Sequence, residues 1–133
     1  MDYNTCNGTD MYYMFSTCSS LKSLDISNFN TSKVTDMDSI LYNCSSLTTL
    51  DVSNFDTSKA TSMDFMFYNC SPLTTLKLGI FSTSKVSSYS NIFSQINSNT
   101  ILYTYSQNTK DWILNLSSSN RPSAWMTDNI TVQ

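Results

Sequence analysis

A 26-residue period runs through most of this chain and limits what it can fold into. Residues 21–46 read LKSLDISNFNTSKVTDMDSILYNCSS and residues 47–72 read LTTLDVSNFDTSKATSMDFMFYNCSP; the two share 16 identical positions. Residues 73–98, LTTLKLGIFSTSKVSSYSNIFSQINS, are a more divergent third copy. Residues 1–20 form a truncated one: Asn4-Thr5 aligns with Asn30-Thr31, Thr9-Asp10-Met11 with Thr35-Asp36-Met37, and Cys18-Ser19-Ser20 with Cys44-Ser45-Ser46. A unit this short cannot bury its own apolar face, so neighbouring units must share a continuous core.

Each unit opens on an L-x-x-L-x-L pattern, which at a period in the twenties reads as a leucine-rich repeat. Leu24 and Ile26 alternate with polar Ser23, Asp25 and Ser27, the mark of a short half-buried strand. Leu50 and Val52, then Leu76 and Leu78, repeat the pattern. Phe29, Phe55 and Phe81 follow and should fill the core under a Thr-Ser-Lys turn. The second half of each unit reads as a short helix. Thr35 with Asp38, and Thr61 with Asp64, resemble capping boxes. Met37, Leu41 and Cys44 fall at i, i+4 and i+7, as do Met63, Phe67 and Cys70, Met11, Phe15 and Cys18, and Tyr89, Phe93 and Ile96. The expected fold is an α/β leucine-rich-repeat solenoid, with a parallel strand column on the concave face and short helices on the convex face.

The array should occupy residues 1–98, and residues 99–133 should form a C-terminal capping segment. In that tail residues 101–105 suit a strand. Asn108 or Thr109 can cap a helix through Trp112, Ile113 and Leu116. Residues 117–123 read as a polar loop and 129–133 as a last strand. The front end begins inside a repeat and would leave Met11, Leu21 and Leu24 at a bare edge, so the chain is expected to be part of a longer array.

Composition removes whole classes of chemistry. Ser, Thr and Asn supply 25, 17 and 14 residues, while His and Glu are absent. Without His there is no Ser-His-Asp or Cys-His centre, and the commonest metal ligand is missing. The expectation is a non-enzyme that needs no cofactor. A net charge of −3 disfavours non-specific nucleic-acid binding. No run of about 18 apolar residues offers a membrane span, and residues 1–10 lack the pattern of a signal peptide.

The phrase L-x-x-L-D-(I/V)-S-N-F-(N/D)-T-S-K, followed by M-F-x-x-C-S, resembles the repeats of BspA-like leucine-rich-repeat surface proteins. The resemblance spans about residues 4–98. Departures are Ile40-Leu41 in place of Met-Phe and Gly79-Ile80 in place of Ser-Asn. It implies a secreted or cell-surface bacterial protein, often anchored to lipid or wall, and adhesion to host or microbial partners. It carries over no catalytic residue.

Several columns compete as binding sites. The outward strand positions are Ser23, Asp25 and Ser27, then Thr49, Asp51 and Ser53, then Thr75, Lys77 and Gly79. Asp25 and Asp51 lie side by side; two carboxylates suggest acid-base catalysis or calcium, but no pocket or partner base is evident and calcium wants six or more oxygens. Lys33, Lys59 and Lys85 line one turn edge, either as a solvated guard against edge pairing or as a basic ridge for an acidic partner. Cys18, Cys44 and Cys70 form a column whose next member is Ile96, which marks a core position rather than a metal or redox site. Cys6 aligns with turn residues and should be exposed. Asn28 and Asn54 should satisfy backbone groups in the turn. Tyr12, Tyr13, Tyr42 and Tyr68 are a minor candidate patch for neighbour contacts. The N-x-S/T sequons at Asn7, Asn30, Asn43, Asn69, Asn115 and Asn129 follow from composition. The expected function is a surface-exposed adhesion module that meets protein or glycan partners through the strand face. The rival is a passive spacer with no ligand.

Overall fold

The computed structural model describes residues 8–125 and 127–133; the reading of Cys6, like that of Asn4, Thr5 and Asn7, lies outside them. Among the described residues four parallel strands form one sheet in chain order: β1 (Thr49–Asp51), β2 (Thr75–Gly79), β3 (Ile101–Thr104) and β4 (Ile130–Val132). One α-helix, α1 (Gln107–Leu114), lies between β3 and β4. The architecture is thus α/β. Thr49 pairs with Thr75 and Thr75 with Ile101, so the sheet register reproduces the 26-residue period. Leu50, Leu76, Leu102 and Ile130 fall in one row and all are buried. Their side chains share one face because strand residues alternate sides.

The first unit departs from expectation: residues 23–27 form no strand. Ile26 is buried and Leu24 half-buried, so the apolar pattern still points inward. The backbone, however, is engaged elsewhere. The Asn54 side-chain amide donates to the carbonyls of Ile26 (3.0 Å), Phe29 (3.1 Å) and Ser27 (3.3 Å). A side chain of the next unit therefore occupies acceptors that a strand partner would use.

The second half of each unit is not helical. The apolar stripe is buried as the spacing predicts, with Met37, Leu41, Cys44, Met63, Phe67 and Cys70 fully enclosed. Two consecutive four-residue turns carry it instead. In the second full unit, Met66 N–H donates to the Met63 carbonyl and Cys70 N–H to that of Phe67. The third residue of each turn has positive φ, 55° at both Phe65 and Asn69. The same conformation recurs at Tyr13, Thr17, Ser39, Asn43, Asn91 and Gln95. A left-handed residue every fourth position ends any helix, yet a period of four sets the same i, i+4 burial as a period of 3.6 over two turns.

The turns also bond across units. Met37, Ser39, Leu41 and Asn43 donate their N–H groups to the carbonyls of Ser62, Asp64, Met66 and Tyr68. Met63, Phe65, Phe67 and Asn69 do the same to Ser88, Ser90, Ile92 and Ser94. Side chains expected to cap helices join this ladder. Thr35 donates from N–H and Oγ1 to the Thr9 carbonyl, and Thr61 likewise to Thr35. Asp38 Oδ1 accepts from Ser62 Oγ and from Asp64 N–H (2.7 Å), and Asp64 Oδ1 accepts from Ser88 Oγ (2.6 Å) and Ser90 N–H (2.6 Å).

The tail continues both bonded faces. β3 and β4 extend the sheet, while Asn120 accepts the N–H groups of Asn91 and Phe93 at the end of the turn ladder. Ser106, not Asn108 or Thr109, is the N-cap of α1, its Oγ accepting from Thr109 N–H (3.4 Å). Thr109 is buried because its hydroxyl bonds the Phe81 backbone. Trp125 is buried against Phe93, with ring centroids 5.5 Å apart. The Arg121 guanidinium donates to the carbonyls of Leu114, Leu116, Pro122 and Trp125, tying the end of α1 to the loop. At the opposite end Met11 is buried rather than bare, while Leu21 and Leu24 are half-buried.

Candidate functional site

The outward residues of the strand segments converge. Ser23, Asp25, Thr49, Asp51, Thr75 and Lys77 line a shallow trough of about 450 Å³, with Leu24 and Leu50 in its floor. Sheet register sets its cross-rows: Asp51 lies beside Lys77, which lies beside Tyr103. A smaller recess of about 160 Å³ adjoins it, lined by Asp25, Ser27, Asp51, Ser53 and Asn54 among others. The trough therefore gathers six of the expected strand-face residues, and the recess takes Ser27 and Ser53.

Electrostatics here are local and mild. Asp25 Oδ1 accepts from the Ser27 hydroxyl (2.7 Å) and N–H (3.0 Å), and these bonds hold its carboxyl below the usual carboxylate range. Asp51 Oδ1 accepts from Ser53 N–H (2.9 Å). These are Asx turns: Ser27 and Ser53 serve their own loops as well as the surface. One oxygen of each carboxylate lies outside these bonds, so the trough presents two acidic acceptors, one ammonium, two threonine hydroxyls and one serine hydroxyl. That set suits hydrogen bonding to a polar partner. Among the described residues no group of three or more His, Cys, Asp or Glu side chains could hold a metal ion.

The family model described as "Mycoplasma protein of unknown function, DUF285" matches residues 1–112. The chain belongs to this family. Comparison with curated proteins and with solved structures gives no match. The DUF285 span covers all three full repeats and reaches into α1.

Other columns of this DUF285 chain stand apart from the trough. Lys33, Lys59 and Lys85 are exposed at the turn edge and line neither recess. Cys44 and Cys70 are buried free thiols that donate to the carbonyls of Phe15 (3.1 Å) and Leu41 (3.2 Å) in the preceding unit. Burial pushes Cys44 up to about 11 and Cys70 up to about 12, so neither is a nucleophile near neutrality. No helix among the described residues is long and apolar enough to cross a membrane.

Two features escaped the reading of the sequence. Ile80, 62% exposed, and Tyr105, 48% exposed, border a recess of about 320 Å³ with Ser53, Phe55 and Ser82. Its signal was an isoleucine where the other units carry Asn28 and Asn54. The aromatic strip on the turn face is also larger than the tyrosines alone suggested. Tyr42 and Tyr68 stack at 5.0 Å, Phe65 meets both edge-on, and Tyr13 lies 6.2 Å from Tyr42. Tyr12 packs against Tyr13 at 4.2 Å.

Proposed function

We propose that this chain is a non-enzymatic binding module that meets protein or glycan partners through the strand-face trough. The observation carrying this reading is the convergence of Ser23, Asp25, Thr49, Asp51, Thr75 and Lys77 on one open trough of about 450 Å³. Its shallow shape and mixed hydrogen-bonding groups suit an extended polar ligand better than a small molecule, which prefers a deep, mostly apolar cavity. Individual contacts of this kind are weak and gain strength by repetition. On this reading the bonded units form a leucine-rich-repeat solenoid of the BspA-like type, the sheet is its concave face, and the protein works at a bacterial cell surface as an adhesin.

The test is a solid-phase panel of extracellular-matrix proteins, sulfated glycans and host cells, probed with the 133-residue chain. Saturable binding lost in an Asp51→Asn, Thr75→Val, Lys77→Gln triple variant supports the proposal. Binding that survives those changes removes the trough from it. A folded, monodisperse sample that binds nothing on the panel would replace it with the spacer role.

A further inference from the structure

From a different face of the molecule, we infer that the aromatic strip of the turns is a docking surface for an arginine- or lysine-bearing segment of a partner protein. The strip crosses three units: Tyr13, Tyr42 and Tyr68 follow one another, with Phe65 between the last two and Tyr12 at the end. Tyr12 is 54% and Tyr13 44% exposed, while Tyr42, Phe65 and Tyr68 are half-exposed. Side chains this large and apolar are costly to leave in water unless something covers them.

Charge says what the cover is. The turn segments, residues 9–20, 35–46, 61–72 and 87–98, contain no Lys or Arg. They carry Asp10, Asp36, Asp38 and Asp64. Each of these carboxylates uses Oδ1 to hold the backbone: Asp10 accepts from Tyr12 N–H (2.7 Å), Asp36 from Asp38 N–H (2.9 Å), Asp38 from Asp64 N–H (2.7 Å) and Asp64 from Ser90 N–H (2.6 Å). The acids are thus fixed on the same turns that carry the rings. The hydrogen bond with Tyr13 and burial raise the Tyr12 hydroxyl pKa most, and Asp38 and Asp36 add to the rise.

A ring face next to a fixed carboxylate attracts a cation twice, through the ring quadrupole and through Coulomb attraction. Guanidinium fits best because it stacks flat on an aromatic surface and still donates to a carboxylate. A second copy presenting the same face would bring acid against acid. A neutral glycan would satisfy the rings but not the carboxylates fixed on the same turns. The segment that fits is therefore basic and belongs to another protein.

Fluorescence-anisotropy titration of the 133-residue chain tests this, using labelled decapeptides that alternate Arg with Gly or Lys with Gly, and a Gln-Gly control. The Arg peptide is expected to bind more tightly than the Lys peptide and about tenfold or more tighter than the Gln control, weakening as salt rises. Asp10→Asn with Asp36→Asn keeps an oxygen for each turn but removes two charges. Tyr12→Ser with Tyr13→Asn removes two exposed rings and leaves a residue that accepts positive φ. Each double variant is expected to lose about tenfold in affinity for the Arg peptide, with an unchanged circular-dichroism spectrum. Asp128→Asn, at an exposed position of the C-terminal tail, is expected to leave this binding unchanged. Equal binding of the Arg and Gln peptides, or full binding by both double variants, overturns the inference. Self-association of the chain that the same variants abolish, without peptide binding, overturns it in favour of a second copy.

Discussion

Gly79 sits in the left-handed region at φ +65°, and a Cβ there would lie 2.5 Å from the Ser53 carbonyl oxygen. The register between β2 and β3 shifts at this residue. Both the backbone conformation and the neighbouring unit therefore demand glycine. Gly79→Ala should destabilise the chain by about 2 kcal/mol or more, seen as a lower urea midpoint at constant slope. An unchanged midpoint would mean that Ser53 can retreat at little cost. The thiols make the opposite kind of case, groups whose role is to stay hidden. The folded pKa values of Cys44 and Cys70, about 11 and about 12, lie above the ordinary thiol value near 8.5. The stability they contribute is fully present below that ordinary value and is lost as pH rises through the folded values. Both should resist a thiol reagent at pH 8 until denaturant is added; rapid labelling of Cys70 in the native state would contradict its burial.

At the scale of elements, the strands after the first full unit were legible; the turns, and the missing strand of that unit, were not. Leu50 and Leu76 alternate with polar neighbours, and period-two alternation has one main structural solution. The stripe of Met63, Phe67 and Cys70 has two, because helix and turn ladder bury the same positions. What separates them is the residue at positive φ. Asn43, Asn69 and Asn91 tolerate that region and were a usable signal, but Tyr13, Thr17 and Phe65 hide it. The acids were legible as residues that stabilise backbone N–H groups, but their partners lie one unit away. Asp38 shows what this arrangement does. Burial raises its carboxyl pKa, outweighing the bonds from Ser62 and Asp64 that lower it. A raised folded pKa means that its stabilising contribution exists at acid pH and is lost as pH rises through the folded value. Asp38→Asn keeps an acceptor oxygen without the charge, so at pH 7 it should be as stable as the parent or more so. Asp38→Ala leaves the part-buried Asp64 N–H without its acceptor and should cost about 1–3 kcal/mol. Thermal melts across pH 3–8 separate the two; equal losses in both variants would refute this account.

For the whole molecule, the period alone made one shared core and a parallel register legible, since units offset by 26 residues must place like residues beside like. The polar side chains that border the trough followed from the same alternation. The recess beside Ile80 and Tyr105 did not, because it depends on the one unit that breaks the pattern. How strongly the units depend on each other is best probed at the C-terminal end. Trp125 is 1% exposed, packs on Phe93, and donates from Nε1 to the Asn97 carbonyl (3.3 Å). It also anchors the loop whose Asn120 accepts the last turn-ladder N–H groups, those of Asn91 and Phe93. Removing so large a buried ring should cost about 3–5 kcal/mol. In a row of units that touch only their neighbours, the loss should be felt mainly next to the lesion. Hydrogen exchange on Trp125→Ala should therefore expose the amides of Asn91, Phe93 and Leu102 first, while those of Leu41 and Phe67 keep most of their protection. A uniform loss from Met11 to Leu102 would show instead that one cooperative core, with no weak junction between units, spans the described chain.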